Sequence, residues 1–448
     1  MWGMIAYLSI STLYGGGLIG LQYWITRQVL RRWQEVVKSH GLQVEKTSKP
    51  FRRLRFEARD GALTVKVMTP RRRAGYSREI LVAIPGPPGF SSIHIRREKS
   101  KPSRAQGIEI GDELFDKAFY VMGPLRLLTA LLDVEMRQRL MIVSSDSEDL
   151  EIVQGVLRVG TVGGRVAHLL PFLLDIARRC AQPLDAAQRL ADNALQDPDA
   201  GVRIRNIVLL AREFPGEPAT LETLRAACAD KNPQVRLRAA KGLGDEGHAI
   251  LLELAESTGD DALSAEAVSL MGRDLPVERT RALLGQALRR RLHQTARACL
   301  EALGGSTAPE DVDTLAKVMA REKSELAAVA ATALGATGNP AAEPPLILAL
   351  QGEKEDLQVA AANALARVGT TASVLPLKEA AERSTRNRDL LKATRQAIAE
   401  IQLRLPGASP GQLSLAGTEA GQLSLAPTEA GQLSLADDPA GQLSLGDS

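Results

Sequence analysis

The chain has 448 residues, 44% of them hydrophobic but only 3% aromatic, and its 56 Lys and Arg nearly balance 53 Asp and Glu. That length exceeds one ordinary domain, and an aliphatic, alanine-rich core argues against a β-sandwich and for helix packed on helix. The formal net charge of +3 hides an asymmetry: residues 27–110 hold 20 Lys and Arg against 7 Asp and Glu, whereas after Arg404 the only charges are Glu419, Glu429, Asp437, Asp438 and Asp447. A basic front and an acidic end suit different partners.

The first element is the stretch 1–25, MWGMIAYLSISTLYGGGLIGLQYWI, which carries no charged side chain. It matches the roughly 20 apolar residues that cross a hydrocarbon core as a helix, and Gly15–Gly17 are small residues of the kind tolerated there. A cleaved signal peptide wants basic residues before the apolar run, but Arg27, Arg31 and Arg32 follow it. A transmembrane anchor is therefore expected, single-pass in a bacterial inner membrane, with the bulk of the chain cytoplasmic by the positive-inside rule. Residues 26–48 place Val29, Leu30, Trp33, Val36 and Val37 on one helical face, which reads as a basic amphipathic helix lying at the membrane surface.

Residues 49–145 change pattern: apolar and polar positions alternate at Leu54–Ala58 and Leu63–Val67, and EILVAIP and SIHIRR follow after Pro/Gly-rich breaks. A small basic α+β domain of about four antiparallel strands is expected, with a helix through Leu125, Leu128, Leu131 and Leu132 and then a short apolar strand. The run FDKAFYV, with Phe115, Asp116 and Phe119, resembles a stretch of bacterial proteins that place a membrane segment before a small β-rich domain. The phenyl rings read as core and Asp116 as a cap or turn residue. The clusters holding Arg52, Arg53, Arg71, Arg72 and Arg73 fit either a lipid-facing surface, together with Arg27, Arg31 and Arg32, or a plain solvated face. Nucleic acid is disfavoured as a partner because stacking aromatics are not interleaved with these arginines.

Residues 146–163 are expected to be a linker, with GTVGGR (Gly160–Arg165) as a flexible joint. It lacks the final Gly-Lys-Ser/Thr of a phosphate loop. From 164 to 405 the sequence repeats with a period near 31. Leu210, Leu243, Met271, Leu303, Leu334, Leu365 and Ile398 close the second helix of about seven units. Self-similarity at this period marks a solenoid in which neighbouring units bury one another's apolar stripes. The turns DPDAGVR and KNPQVR, with Asp199/Arg203 and Asn232/Arg236, resemble those of HEAT repeats in their short bacterial form. That resemblance implies a scaffold presenting a surface to protein partners. Some relatives of this kind resemble lyases that attach bilin pigments, but nothing in these residues supports that chemistry.

Catalytic patterns are missing. The five histidines are scattered without metal-ligand spacing, and no nucleophile elbow occurs. Cys180, Cys228 and Cys299 lie far apart in apolar helical stretches, which excludes a disulfide framework and suits small buried hydrophobes. The reading is of a non-enzyme that needs no cofactor.

The tail, 406–448, repeats GQLSL every ten residues and offers Gln412, Leu413, Leu415, Gln422, Leu423, Leu425, Gln432, Leu433, Leu435, Gln442, Leu443 and Leu445 as equivalent apolar hooks. Its spacers cannot bury a core, so disorder is expected. The motif resembles the Gln-Leu-x-Leu-Phe peptide that docks bacterial replication proteins on the sliding clamp. It departs where Ala416, Ala426, Ala436 and Gly446 replace the aromatic anchor. The fold class expected is thus mainly α: a HEAT-like solenoid behind a transmembrane helix and a small α+β domain. The function expected is a membrane-anchored protein-interaction scaffold, with a peripheral binder of acidic lipid or nucleic acid through residues 49–110 as the alternative.

Overall fold

The computed structural model describes residues 24–47, 55–69, 78–98, 107–257, 259–322, 325–383, 387–404, 413–415 and 423–425. The chain divides into two compact units, Met1–Gly247 and His248–Ser448.

Among the described residues the first unit begins with helix α1 over residues 24–39. It continues into an eight-stranded antiparallel sheet built from β1 (Gln43–Thr47), β2 (Arg55–Asp60), β3 (Leu63–Met68), β4 (Arg78–Ala83), β5 (His94–Arg97), β6 (Phe119–Met122), β7 (Asp149–Val153) and β8 (Val156–Thr161). The spatial order is β1-β2-β3-β4-β8-β7-β5-β6. Register places Ala58, Val65, Val82, Leu157, Ile152, Ile95 and Val121 in one cross-strand row, all buried. The adjacent row, Glu57, Lys66, Leu81, Arg158, Glu151, Arg96 and Tyr120, belongs to the opposite face by the two-residue period. One apolar and one polar face is the usual division of an antiparallel sheet.

The apolar face shares its core with α1, α2 (Glu113–Ala118), α3 (Leu125–Leu131), α4 (Val134–Asp146) and α5 (Val166–Ala181). Asp112 caps α2 by accepting from the N–H groups of Leu114 and Phe115. Asp116 serves the preceding turn, accepting from Ile110 and Gly111 N–H at 2.8 and 2.9 Å. Phe115 and Phe119 stack with centroids 4.7 Å apart in the core. Two helical pairs follow, α6 (Ala186–Gln196) with α7 (Ala200–Glu213) and α8 (Pro218–Ala227) with α9 (Pro233–Leu243).

The second unit holds five more pairs: α10 (His248–Glu256) with α11 (Asp261–Met271), α12 (Val277–Arg290) with α13 (His293–Leu303), α14 (Pro309–Arg321) with α15 (Leu326–Ala336), α16 (Glu343–Leu350) with α17 (Glu355–Val368), and α18 (Val374–Arg383) with α19 (Arg388–Arg404). The seven residues chosen from the sequence as repeat markers all lie in the second helix of a pair. Beyond them β9 (Leu413–Leu415) pairs with β10 (Leu423–Leu425), where a tail without structure was expected.

Three expectations are corrected. Among the described residues no helix is long and apolar enough to cross a membrane, which overturns the fold class with its transmembrane helix and the single-pass inner-membrane location. The span drawn over 1–25 lies outside the described residues apart from Trp24 and Ile25. The helix expected at a lipid surface instead packs on the sheet: Leu30, Trp33 and Val37 are 7, 1 and 0% exposed, and the Trp33 ring meets Phe56 edge-on at 6.1 Å. An amphipathic stripe is satisfied by any apolar surface, and this protein supplies one itself. Second, residues 149–161 form the β7–β8 hairpin in the middle of the sheet, where a linker was expected. Third, the short strand expected after α3 is part of helix α4; residues 49–145 supply five strands, β2 to β6, where about four were expected, and β1, β7 and β8 from outside that stretch complete the sheet.

Candidate interaction surfaces

In the second unit α11, α13, α15, α17 and α19 stack on one another more extensively than their first-helix partners do. Small residues make this possible. A Cβ on Gly335 would fall 2.6 Å from Cα of Ala364, and one on Gly304 would fall 3.1 Å from Cα of Ala333. Polar links join each repeat to the next. Asp261 accepts from Gln294 and Thr295 N–H at 3.0 and 2.9 Å, Arg281 donates to buried Asp311, and Asn339 donates to Thr307 O at 2.9 Å. Glu343 accepts from Thr370 N–H at 2.6 Å, and Arg404 donates to Gly369 O at 2.7 Å. Burial pushes the Asp261 carboxyl up, but its bonds from Thr295 and Gln294 outweigh that and hold it below the usual range.

The outward side of these second helices carries Arg297, Glu301, Thr332, Asn363, Arg367 and Arg395, all exposed. A cleft of about 320 Å³ opens among α11, α13 and α15, lined by Val268, Ser269, Gly272, Ala298, Glu301 and Ala336 together with Ala302, Gly304 and Gly305. Glu301 is held by Arg297 at 2.9 Å. The cleft can take one small apolar side chain and offers a carboxylate to a donor beside it. A second hollow of about 290 Å³ lies where Arg291, Leu292 and His293 approach Glu322 and Leu326. There Arg291 ends α12 in the left-handed conformation, φ 60°, a position usually given to glycine.

The first unit shows what the DPD and KNP turns do. Arg203, 3% exposed, donates to Asp230 of the next turn at 2.8 and 2.9 Å and back to Asp197 O at 2.8 Å. Asn232 caps α9, and Arg236 donates to Asp230 O at 3.0 Å. Burial raises the Asp230 carboxyl, but the Arg203 bond and the Asn232 N–H hold it below its ordinary range. Arg137 of α4, 2% exposed, donates to Asp112 at 2.8 Å, to both oxygens of Asp197 at 3.0 and 3.1 Å and to Asp199 at 3.3 Å. Alongside, Gly111 and Gly201 touch so closely that a Cβ on Gly201 would lie 2.2 Å from Gly111 O. The sheet and the first repeats are thereby locked together. Sequence reading singled out neither Arg137 nor Asp230; the signal for Asp230 was its 33-residue offset from Asp197 of the preceding turn.

The sheet topology also sorts the basic segments. Residues 48–54 join β1 to β2, 69–77 join β3 to β4, and 98–112 join β5 to α2. Register puts Thr47 beside Phe56, Met68 beside Arg55 and Glu79, Gly160 beside Glu79 and Asp149, and Arg96 beside Glu151. All three segments therefore leave from one end of the sheet. Arg52, Arg53, Arg71, Arg72 and Arg73 themselves lie outside the described residues, while Arg27, Arg31 and Arg32 are exposed on α1. On the polar face nearby Lys66 pairs with Glu57 at 3.2 Å, the His94 ring lies 3.0 Å from a Glu151 oxygen, and Arg96 lies 4.7 Å over the Tyr120 ring. Of the tail hooks, Leu413, Leu415, Leu423 and Leu425 fall in β9 and β10; Gln412, Gln422, Gln432, Leu433, Leu435, Gln442, Leu443 and Leu445 lie outside the described residues. Cys180 and Cys299 are buried, and burial pushes both thiols up to about 12.

Residues 312–399, from α14 into α19, match the family model for HEAT repeats. No curated protein matches the chain. Among solved structures it is similar to the complex of CpcE and CpcF of phycocyanin lyase from Nostoc sp. PCC7120, at 19% identity over 49% of this chain and 96% of that one, with a TM-score of 0.31. It is also similar to human deoxyhypusine hydroxylase in complex with glycerol, at 15% identity over 49% and 96%, TM-score 0.22. A third likeness is to the karyopherin Kap121p bound to the extreme C-terminus of the protein phosphatase Cdc14p, at 12% identity over 62% and 33%, TM-score 0.37.

Proposed function

We propose that this chain is a protein-interaction scaffold whose helical repeats hold a protein partner, with no catalysis of its own. The observation that carries the reading is the repeat layer of the second unit, HEAT-like over 312–399, with exposed polar side chains and a small-residue cleft on the outer side of its second helices. A surface made of successive equivalent helices suits an extended partner, because each repeat contributes one step of contact. The repeated GQLSL segments would add avidity to such an assembly. The test is co-purification of proteins with the full chain and with an Ala336→Glu, Glu301→Arg variant of unchanged fold. Loss of the co-purifying protein supports the reading. The same set of proteins with both forms, at equal yield, overturns the choice of surface.

A second reading has its own supporting observation, the two basic segments 48–54 and 69–77 leaving one end of the sheet. There the chain would bind a phosphate-rich polyanion, lipid headgroups or nucleic acid, through Arg52, Arg53 and Arg71–Arg73. Arginine suits this role because its planar fork meets phosphate oxygens in pairs.

A further inference from the structure

Beyond Arg404 the segment GQLSL occurs four times, beginning at Gly411, Gly421, Gly431 and Gly441. The first two copies already pair with each other. Leu413 stands opposite Leu425, Ser414 opposite Ser424 and Leu415 opposite Leu423, in an antiparallel ladder. The core of the motif, Leu-Ser-Leu, reads the same in both directions. Antiparallel pairing centred on serine therefore sets leucine against leucine and serine against serine whichever two copies meet. Nothing in that register distinguishes a copy in the same chain from one in another.

Two strands of three residues are too small to stand as an isolated ladder, and among the described residues no third strand joins either edge. Natural edges are blunted by lysine, proline, inward charges or bulges. The Gln-Leu-Ser-Leu segments contain no charge and no proline, and Glu419, Glu429, Asp437 and Asp438 all fall in the connections between copies. Like charges are thus kept out of the positions that face each other across the ladder. The third and fourth copies repeat the same Gly-Gln-Leu-Ser-Leu sequence at the same ten-residue spacing, so the register seen between the first two can be written for any pair of copies.

We propose that the tail is a self-association element, its occupant a second copy of this chain, joined through antiparallel pairing of GQLSL segments in the register that Ser414 and Ser424 show. Weak contacts repeated along one chain combine by avidity. The inference does not depend on the solenoid binding a partner.

The register supplies the test. Replacing all four central serines by lysine sets like charges opposite one another in every pairing, and so does replacing them by glutamate. A one-to-one mixture sets lysine opposite glutamate. The full chain, the chain ending at Arg404 and the two variants are compared by sedimentation equilibrium over a wide concentration range. The full chain should rise from one chain mass to at least twice that mass, while the truncated chain and each variant alone should stay at one. Mixing the two variants should restore the doubled mass. A full chain that stays at one chain mass overturns the proposal, and so does a truncated chain or a lone variant that associates like the full chain. A mixture that stays at one chain mass overturns the register. Retention of co-purifying partners by the truncated chain separates this outcome from the scaffold reading.

Discussion

At the residue scale the repeat turns depend on a few buried ions. Arg203 is shut away from water yet bonded to one carboxylate and two carbonyls, so truncating it strands the Asp230 charge. Breaking a buried pair of this kind costs about 3 kcal/mol or more, and Arg203→Ala should lower the urea midpoint accordingly. Because the folded Asp230 carboxyl titrates below the ordinary aspartate range, its contribution is present above that range and is lost as pH falls through the lower, folded value. Asp230→Asn should therefore flatten the acid limb of stability against pH below about 4, measured by denaturation at several pH values. Arg291 works in the other direction. A non-glycine residue in the left-handed region costs about 1–2 kcal/mol, so Arg291→Gly should raise the thermal midpoint, as read by thermal denaturation.

At the element scale the decisive quantity is how near two helices come. Gly335 and Gly285 both lie inside helices, α15 and α12, and alanine is the better helix former at either place by about 0.8–1 kcal/mol. Their surroundings differ. The new Cβ would collide with Ala364 at 2.6 Å in the first case, but would rest 3.5 Å from Arg289 in the second. Gly335→Ala should destabilise by roughly 1–3 kcal/mol as overpacking forces α15 from α17, while Gly285→Ala should stabilise. Equal effects in guanidinium melts would mean that stacking of second helices is not set by these contacts. Helix α1 carries the same lesson in another form. Its apolar stripe was plain in the sequence, but the stripe only requires some apolar surface, and Phe56 of β2 rather than lipid meets Trp33.

At the scale of the whole molecule, charge separates the ends of the chain. If the basic end of the sheet grips a polyanion, the logarithm of affinity should fall linearly with the logarithm of salt, by about 0.9 per phosphate contacted on duplex DNA. Replacing Arg71–Arg73 by Ala should shallow that slope, as measured by titration of acidic vesicles and of duplex DNA at two salt concentrations. Binding that ignores salt would end the polyanion reading. The repeat array was legible in the sequence because each unit packs mainly on its neighbours, so its apolar period and its Pro, Asp and Asn turn residues record local requirements. The seven markers from Leu210 to Ile398 could be picked without a structure for that reason. The sheet was not legible in the same way. Alternation at Phe56–Ala58 or Val65–Val67 tells which residues face inward, but it is silent on the fact that β4 pairs with β8, more than seventy residues later. The palindrome Leu-Ser-Leu was visible from the start; that one copy pairs with the next was decided by chain reversal in space. The sequence by itself determined the period, the small stacking residues and the distribution of charge, because these answer to neighbours along the chain. Only the tertiary structure decided what covers α1, which strands adjoin and from which end of the sheet the basic segments depart, because those depend on partners that the chain brings together from far apart.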